Sequence, residues 1–190
     1  MASITQKIYA SKALPELKKF LGTENVHAIP RFNRVVVNVG VGKFMKEQNR
    51  IDEIKQSLEM ITGQKVVPTK ARKAIAGFKI REGLEVGMRV TLRGERMWHF
   101  LDRFINVGLP RVRDFQGIPR RAIDSYGNAN IGIKEQTVFP EIIPEKVQTM
   151  FSFQVTIVTT AADKKTGEKL FELIGLPLQA VGTEERKEKE

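Results

Sequence analysis

Segments that read as β-strands in this sequence lie too close along the chain for a helical crossover to separate every pair. A parallel connection needs a dozen or more residues and usually carries a helix, so close spacing selects antiparallel neighbours. Arg34–Val41 (RVVVNVGV) is β-branched and alternating, the clearest strand of the chain. Further strands are expected at Lys65–Pro68, Ile75–Ile80, Val86–Leu92, Ala129–Lys134 and Phe151–Thr160. Helices are expected over residues 3–21, Gln48–Ile61, Glu95–Asn106 and Asp163–Ile174. The fold class that follows is α+β: a mostly antiparallel or mixed sheet with helices packed on one face.

The element boundaries carry their own punctuation. Ser3 or Thr5 suits the cap of the first helix, with Ile4, Ile8, Leu14, Leu17 and Leu21 at roughly helical spacing and Gly22 at its end. Ile51, Ile54, Leu58 and Ile61 mark one face of the second helix, closed by Gly63. In the third, Trp98, Leu101 and Ile105 form the expected buried side, and Gly108 and Pro110 are expected to stop it. No repeat or low-complexity linker divides the chain, so residues 1–182 are read as one domain. Residues 183–190 are charged, lack a hydrophobic pattern and read as a disordered tail.

The charge is concentrated. Between Gly63 and Arg121 there are 14 Lys and Arg against 5 Asp and Glu, which leaves nine of the ten net positive charges of the chain. A focused basic field attracts polyphosphate, whereas a diffuse one mainly serves solubility. Cysteine is absent, which excludes disulfides, thiolate zinc sites and cysteine nucleophiles and fits a reducing cytosolic setting. No apolar run is long enough to span a membrane, and the N-terminus does not read as a signal peptide. The expected partner is RNA, with no membrane and no cofactor.

Several groups are candidates for chemistry. Gly40-Val41-Gly42-Lys43 follows a strand and precedes a helix, as a phosphate-binding turn does, but Met45 replaces the third glycine of GxGxxG. The other reading is a tight turn needing positive φ. His99 and Asp102, three apart on a helix, have the spacing of a base and its orienting carboxylate, yet no nucleophile accompanies them, and a solvated polar face is favoured. Two isolated histidines do not make a metal site.

The basic elements say more. Lys70, Arg72 and Lys73 surround a turn, and Lys79 and Arg81 follow with Phe78 between them, framed by Gly77 and Gly83. Cations neutralise phosphates and an interleaved aromatic can stack on an unpaired base, unless Phe78 belongs to the core. Arg89, Thr91 and Arg93 alternate, so they project from one sheet face while Val90 and Leu92 point to the other. That face would be an open, basic platform suited to the wide minor groove and 2′-hydroxyls of an RNA helix. Asn38, a polar residue within an apolar strand, is either a buried, satisfied amide or an RNA contact.

Gly63-Gln64-Lys65, Thr69-Lys70-Ala71-Arg72-Lys73 and Ala76-Gly77-Phe78-Lys79-Ile80-Arg81 together resemble the signature of the bacterial large-subunit ribosomal protein L5 family. Val90–Trp98, Pro110–Phe115, Phe139–Ile142 and Val37–Gly42 continue the resemblance, which covers about residues 4–178. The sequence departs from the family pattern at Gln116, Pro119-Arg120-Arg121, Ile123 and Ala129-Asn130, and the tail from Thr183 has no counterpart.

The resemblance implies a non-enzymatic constituent of the large ribosomal subunit, cytoplasmic, whose sheet cradles 5S rRNA in the central protuberance. It implies Asn38, Gln64 and Thr91 as contacts to 5S rRNA, with Arg89 and Arg93 beside them. Arg72, Lys73, Ala76, Gly77, Phe78, Lys79 and Arg81 would form a loop reaching P-site tRNA. Arg111, Arg113, Arg120 and Arg121 would lie near 23S rRNA or the small-subunit head, among neighbouring ribosomal proteins. The alternative is a free-standing RNA-binding or RNA-chaperone module, which predicts broad RNA affinity and little preference for 5S rRNA. An enzyme using His99 and Asp102 is the remaining rival.

Overall fold

The computed structural model describes residues 3–44 and 47–180. Five strands form one antiparallel sheet: β1 (Phe32–Gly40), β2 (Val67–Lys70), β3 (Glu85–Leu92), β4 (Ala129–Ile133) and β5 (Phe153–Thr159), in the order β2-β3-β1-β5-β4. The register pairs Asn38 with Arg89 on one side and Gln154 on the other, and Val36 with Thr91 and Thr156. Directly paired residues share a face. Val35, Val37 and Val39 therefore lie with Met88, Val90, Leu92, Val155 and Ile157 on the buried face.

The helices cover that face: α1 (Ile4–Ile8), α2 (Leu14–Leu21), α3 (Gln48–Thr62), α4 (Gly94–Arg103) and α5 (Lys164–Leu173). One hydrophobic cluster runs from Ala13 to Leu176. Tyr9, Phe32, Trp98 and Phe171 pack ring against ring and tie the N-terminal helix, β1, α4 and α5 together. Phe100, Phe104, Phe139 and Phe153 form a second chain of rings joining α4 to β5. Each fully buried ring among them contributes about 1.5–3 kcal/mol by leaving water, so the helical layer is bound to the sheet largely by its aromatics.

The caps follow the sequence. The Ser3 hydroxyl accepts from the Gln6 amide, the Asp163 carboxylate accepts from the Thr166 amide, and Gly22 and Gly63 end their helices in the left-handed region. A π-helical turn, Tyr9–Ala13, joins α1 to α2, so the expected first helix is continuous with one wide turn. That turn shifts its apolar face: Ala13 and Leu17 are buried, but Ile4 and Leu21 are exposed.

Four expectations need correction. Ile75–Ile80 is no strand but a 3-10 turn at Ala76–Phe78 closed by one bridge, because Lys79 takes a positive φ and reverses the chain. The strand expected at Lys65–Pro68 forms at Val67–Lys70, since Val66 turns into the core. Gly108 and Pro110 do not stop the third helix, which passes through a π turn at Phe104–Gly108 into a 3-10 turn at Leu109–Arg111. Gly108 keeps helical φ there, with space bounded by Phe104 and Phe139. Trp98 is only half-buried, and Met97, Phe100 and Phe104 take the core face. The expected tail from Thr183 lies outside the described residues.

Candidate nucleic-acid interface

Strand alternation places a polar set on the sheet face that no helix covers among the described residues. One cross-strand row reads Val67, Arg89, Asn38, Gln154 and Gly132, and the next reads Thr91, Val36, Thr156 and Asn130. Arg89, Asn38 and Gln154 are exposed, and Thr91 is half-buried between Val90 and Leu92, both in the core. Asn38 is exposed and its side-chain amide makes no hydrogen bond among the described residues, so the buried-amide reading fails. Gly40 and Gly132 are exposed with open space above them, leaving bare backbone at that end of β1 and in β4, while Gly87, the partner of Gly40, is covered by Thr69. A ligand can approach main chain closely there.

Gln64 sits at the edge of this face for a specific reason. β2 accompanies β3 only as far as Arg89, so the Thr91 carbonyl on the β3 edge loses its ladder partner. The Gln64 side-chain amide donates to that carbonyl at 3.1 Å, and Arg96 donates to the Gln64 oxygen at 3.5 Å. Gln64 is thereby fixed beside Thr91. Arg93, exposed, follows at the N-terminal cap of α4. Of the five residues expected to act together, Asn38, Arg89 and Thr91 share one sheet face, Gln64 lies at its β3 edge, and Arg93 continues β3 into the cap of α4.

The segment between β2 and β3 is an arm. Its base is closed by Ala71 and Leu84 (N to O, 2.8 Å) and by Gly83 donating to the Ala71 carbonyl at 3.0 Å. Its tip is closed by mutual bonds between Ile75 and Ile80 at 2.9 and 3.2 Å. Every residue from Arg72 to Lys79 is exposed, and Phe78 is 71 % exposed, which excludes a core role. Arg72, Lys73, Lys79 and Arg81 thus lie on the same short arm as the exposed Phe78 and the half-exposed Ile75. The main-chain bonds hold the arm's shape without burying its side chains.

The third basic group divides. Arg111 and Arg113 are exposed and line a cleft of about 440 Å³ with Lys134 and Pro144. Arg121 is exposed. Arg120 instead belongs to the scaffold: it reaches Glu168 at 2.8 Å, Glu172 at 2.6 Å and the Gln179 carbonyl at 3.1 Å. Its guanidinium is spent on α5 and the C-terminal segment.

The rival sites dissolve. Asp102 does not orient His99: its carboxylate accepts from the Ile4 amide (2.9 Å), the Thr5 amide (3.1 Å) and the Thr5 hydroxyl (2.8 Å), capping α1. A carboxylate at a helix N-terminus meets its open N–H groups and dipole, so Asp102 is a tertiary cap. Neither Gly40 nor Gly42 has positive φ, and the turn they form is an ordinary 3-10 turn, Gly42–Phe44. Among the described residues no group of three or more His, Cys, Asp or Glu is placed to hold a metal.

Charge counting overlooked the β4–β5 side of the platform. Thr156 donates to the Asn130 side-chain oxygen at 2.9 Å, and Gln154 does so at 3.4 Å. The available signal was alternation: Gln154 and Thr156 interleave with Phe153, Val155 and Ile157. Arg34, in register with Val158, was visible the same way.

Comparison with known proteins places this geometry. Residues 25–81 match the family model for ribosomal protein L5, and residues 85–178 match the model for the C-terminus of the same ribosomal protein family. The chain is 46% identical over 177 residues to large ribosomal subunit protein uL5 of Mesoplasma florum, covering 93% of this chain and 98% of that one. It is 48% identical over 174 residues to the protein of that name from Solidesulfovibrio magneticus, covering 92% and 97%. The corresponding Ralstonia pickettii protein is 44% identical over 179 residues, with 94% and 99% covered.

Proposed function

This chain belongs to the ribosomal protein L5 family, and from that premise we propose that its uncovered sheet face docks on 5S rRNA while its arm reaches P-site tRNA. It is a structural protein of the large ribosomal subunit, not an enzyme. The observation that carries the 5S rRNA reading is the platform itself: Asn38, Arg89 and Thr91 in adjacent rows, with no helix above them among the described residues. Exposed polar groups beside bare backbone suit an RNA minor groove, where 2′-hydroxyls both donate and accept. Arginines supply attraction to phosphate, and the amide and hydroxyl supply orientation.

The arm suits a different RNA element. Its cations neutralise phosphate while Phe78 offers a ring to an unpaired base or sugar. Arg111 and Arg113 are assigned to 23S rRNA or to proteins across the subunit boundary, and with them the protein would help bridge to the small-subunit head.

The test is binding of 5S rRNA and of an unrelated RNA of equal length at matched salt. Asn38→Ala and Thr91→Ala should each weaken 5S rRNA binding by about 1 kcal/mol, roughly fivefold, as loss of an interfacial hydrogen bond does. Unchanged affinity in both variants would remove these residues from the interface. Equal affinity of the wild type for both RNAs would favour a general RNA-binding module instead.

A further inference from the structure

A second built feature lies beyond the platform, where the ends of β1, β4 and β5 meet. Four clefts converge on Lys134, the residue that follows β4. The widest, about 670 Å³, is lined by Gly40, Lys43, Phe44, Lys134, Met150 and Ser152, with Glu135 at its side. One neighbour opens onto the platform through Asn38 and Gln154, and another leads to Arg111 and Arg113.

The walls of this cleft are preorganised. Gln136 is fully buried, and its amide donates to the Thr149 carbonyl at 2.8 Å while its oxygen accepts from the Phe151 amide at 3.0 Å. Both main-chain neighbours of Met150 are thus clamped, and Met150 turns outward, 55 % exposed. On the opposite wall the Phe44 amide donates to the Val41 carbonyl at 2.9 Å, closing the turn that presents Lys43 and Phe44. The Arg50 guanidinium lies 5.8 Å from the centroid of the Phe44 ring. Lys43 and Lys134 are exposed and in no ion pair among the described residues, while Glu135 is approached by the Thr137 hydroxyl at 3.4 Å.

We infer that this cleft takes one unpaired nucleotide of an RNA strand, its base against Phe44 and Met150 and its phosphates on Lys43 and Lys134. An aromatic ring and a thioether flanked by two such cations match a base and its phosphates, and the volume is that of a small-molecule site. The position lets one strand run from the platform past Lys134 toward Arg111 and Arg113. This rests on the RNA-binding reading above and adds a site to it.

The experiment uses the full chain and a hexauridylate carrying one 4-thiouridine, beside a separate titration with 5S rRNA. Photocrosslinks should map to Lys43–Phe44 or to Met150–Ser152. Lys43→Ala with Lys134→Ala should weaken the hexanucleotide at least fivefold and lower the salt slope by about 1.4, at about 0.7 per phosphate contact on a single strand. Phe44→Leu, which keeps an apolar side chain in the turn, should weaken binding while leaving the slope unchanged. Crosslinks confined to residues 72–81, or wild-type affinity in the double variant, would overturn the site. If the wild type binds 5S rRNA but the cleft does not hold the hexanucleotide, only this inference falls. Hexanucleotide held in the cleft without 5S rRNA binding would instead sink the docking proposal.

Discussion

Two parts of the same basic stretch are used in opposite ways. The arm between β2 and β3 is held in shape by main-chain hydrogen bonds, and its side chains from Arg72 to Lys79 all face solvent. The segment from Ile118 to Asn128 is clamped to α5 and the C-terminal segment at three levels. Ile118 pairs in parallel with Leu178, Arg120 reaches Glu168 and Glu172, and Gly127 abuts Gly167. Among the described residues, a cation in the first place meets no internal ion-pair partner. Arg120, in the second, already has one, so local charge density does not tell a ligand-binding arginine from a structural one.

The largest test of the contrast is at the glycine contact. A Cβ on Gly167 would lie 2.5 Å from the Gly127 Cα and 2.8 Å from its carbonyl oxygen, both backbone. Gly→Ala inside a helix ordinarily stabilises, by up to about 1 kcal/mol. Here Gly167→Ala should destabilise by about 2–3 kcal/mol, the cost of overpacking. Urea unfolding reads the sign directly, and a stabilised variant would show that the segment is not clamped.

Next in size, Arg120→Ala should cost about 1–2 kcal/mol, because three charge-assisted bonds from a mostly buried guanidinium are lost together. Its 5S rRNA affinity, measured where the variant remains folded, should match the wild type. A variant of normal stability and weakened RNA binding would return Arg120 to the interface.

The Asp124 turn offers a pH handle on the same clamp. Burial raises the pKa of its carboxyl, but bonds from the Asn128 side chain and the Asn128 and Tyr126 amides outweigh this and hold it below the ordinary value. A group whose pKa is lower when folded stabilises fully above its unfolded pKa of about 3.9, and that share is lost as pH falls through the folded value. Asp124→Asn should therefore flatten the loss of stability as pH falls below the unfolded carboxyl value of about 3.9. An acid limb as steep as the wild type's would assign it to other carboxylates.

The smallest stability effect belongs to the arm. Phe78→Ala and Lys79→Ala should each change stability by less than about 0.5 kcal/mol, as exposed substitutions do. Assembled ribosomes carrying Lys73→Ala or Lys79→Ala should nevertheless retain P-site tRNA less well, with 5S rRNA binding spared. A large stability loss in Phe78→Ala would mean that the ring packs inward.

Much of this was legible in the residues themselves. The alternation of Arg34–Val41 and Val86–Leu92 marked central strands, and Gly22, Gly63 and Asp163 marked helix ends, because these signals act within a few residues. Arg89, Thr91 and Arg93 were readable as one face for the same reason, whereas the register that sets Asn38 beside Arg89 is a pairing between distant strands. What stayed open, or came out wrong, lay where a distant element or an unforeseen turn sets the outcome. Asp102 read as a solvated neighbour of His99 or as its orienting carboxylate, until α1, nearly a hundred residues away, supplied the N–H groups it caps. Phe78 could have been core or a stacking ring, until the turn at Lys79 carried it outward. The strand expected around it failed for the same reason.

By itself the sequence determined the α+β class, the family and the sign and place of the charge, since periodicity, motifs and composition are properties of neighbouring residues. Only the tertiary structure decided which cations are bound internally. Arg120 and Arg113 are seven residues apart and equally basic, yet one meets the carboxylates of α5 and the other meets solvent. An ion pair is made or left open by where the chain returns in space.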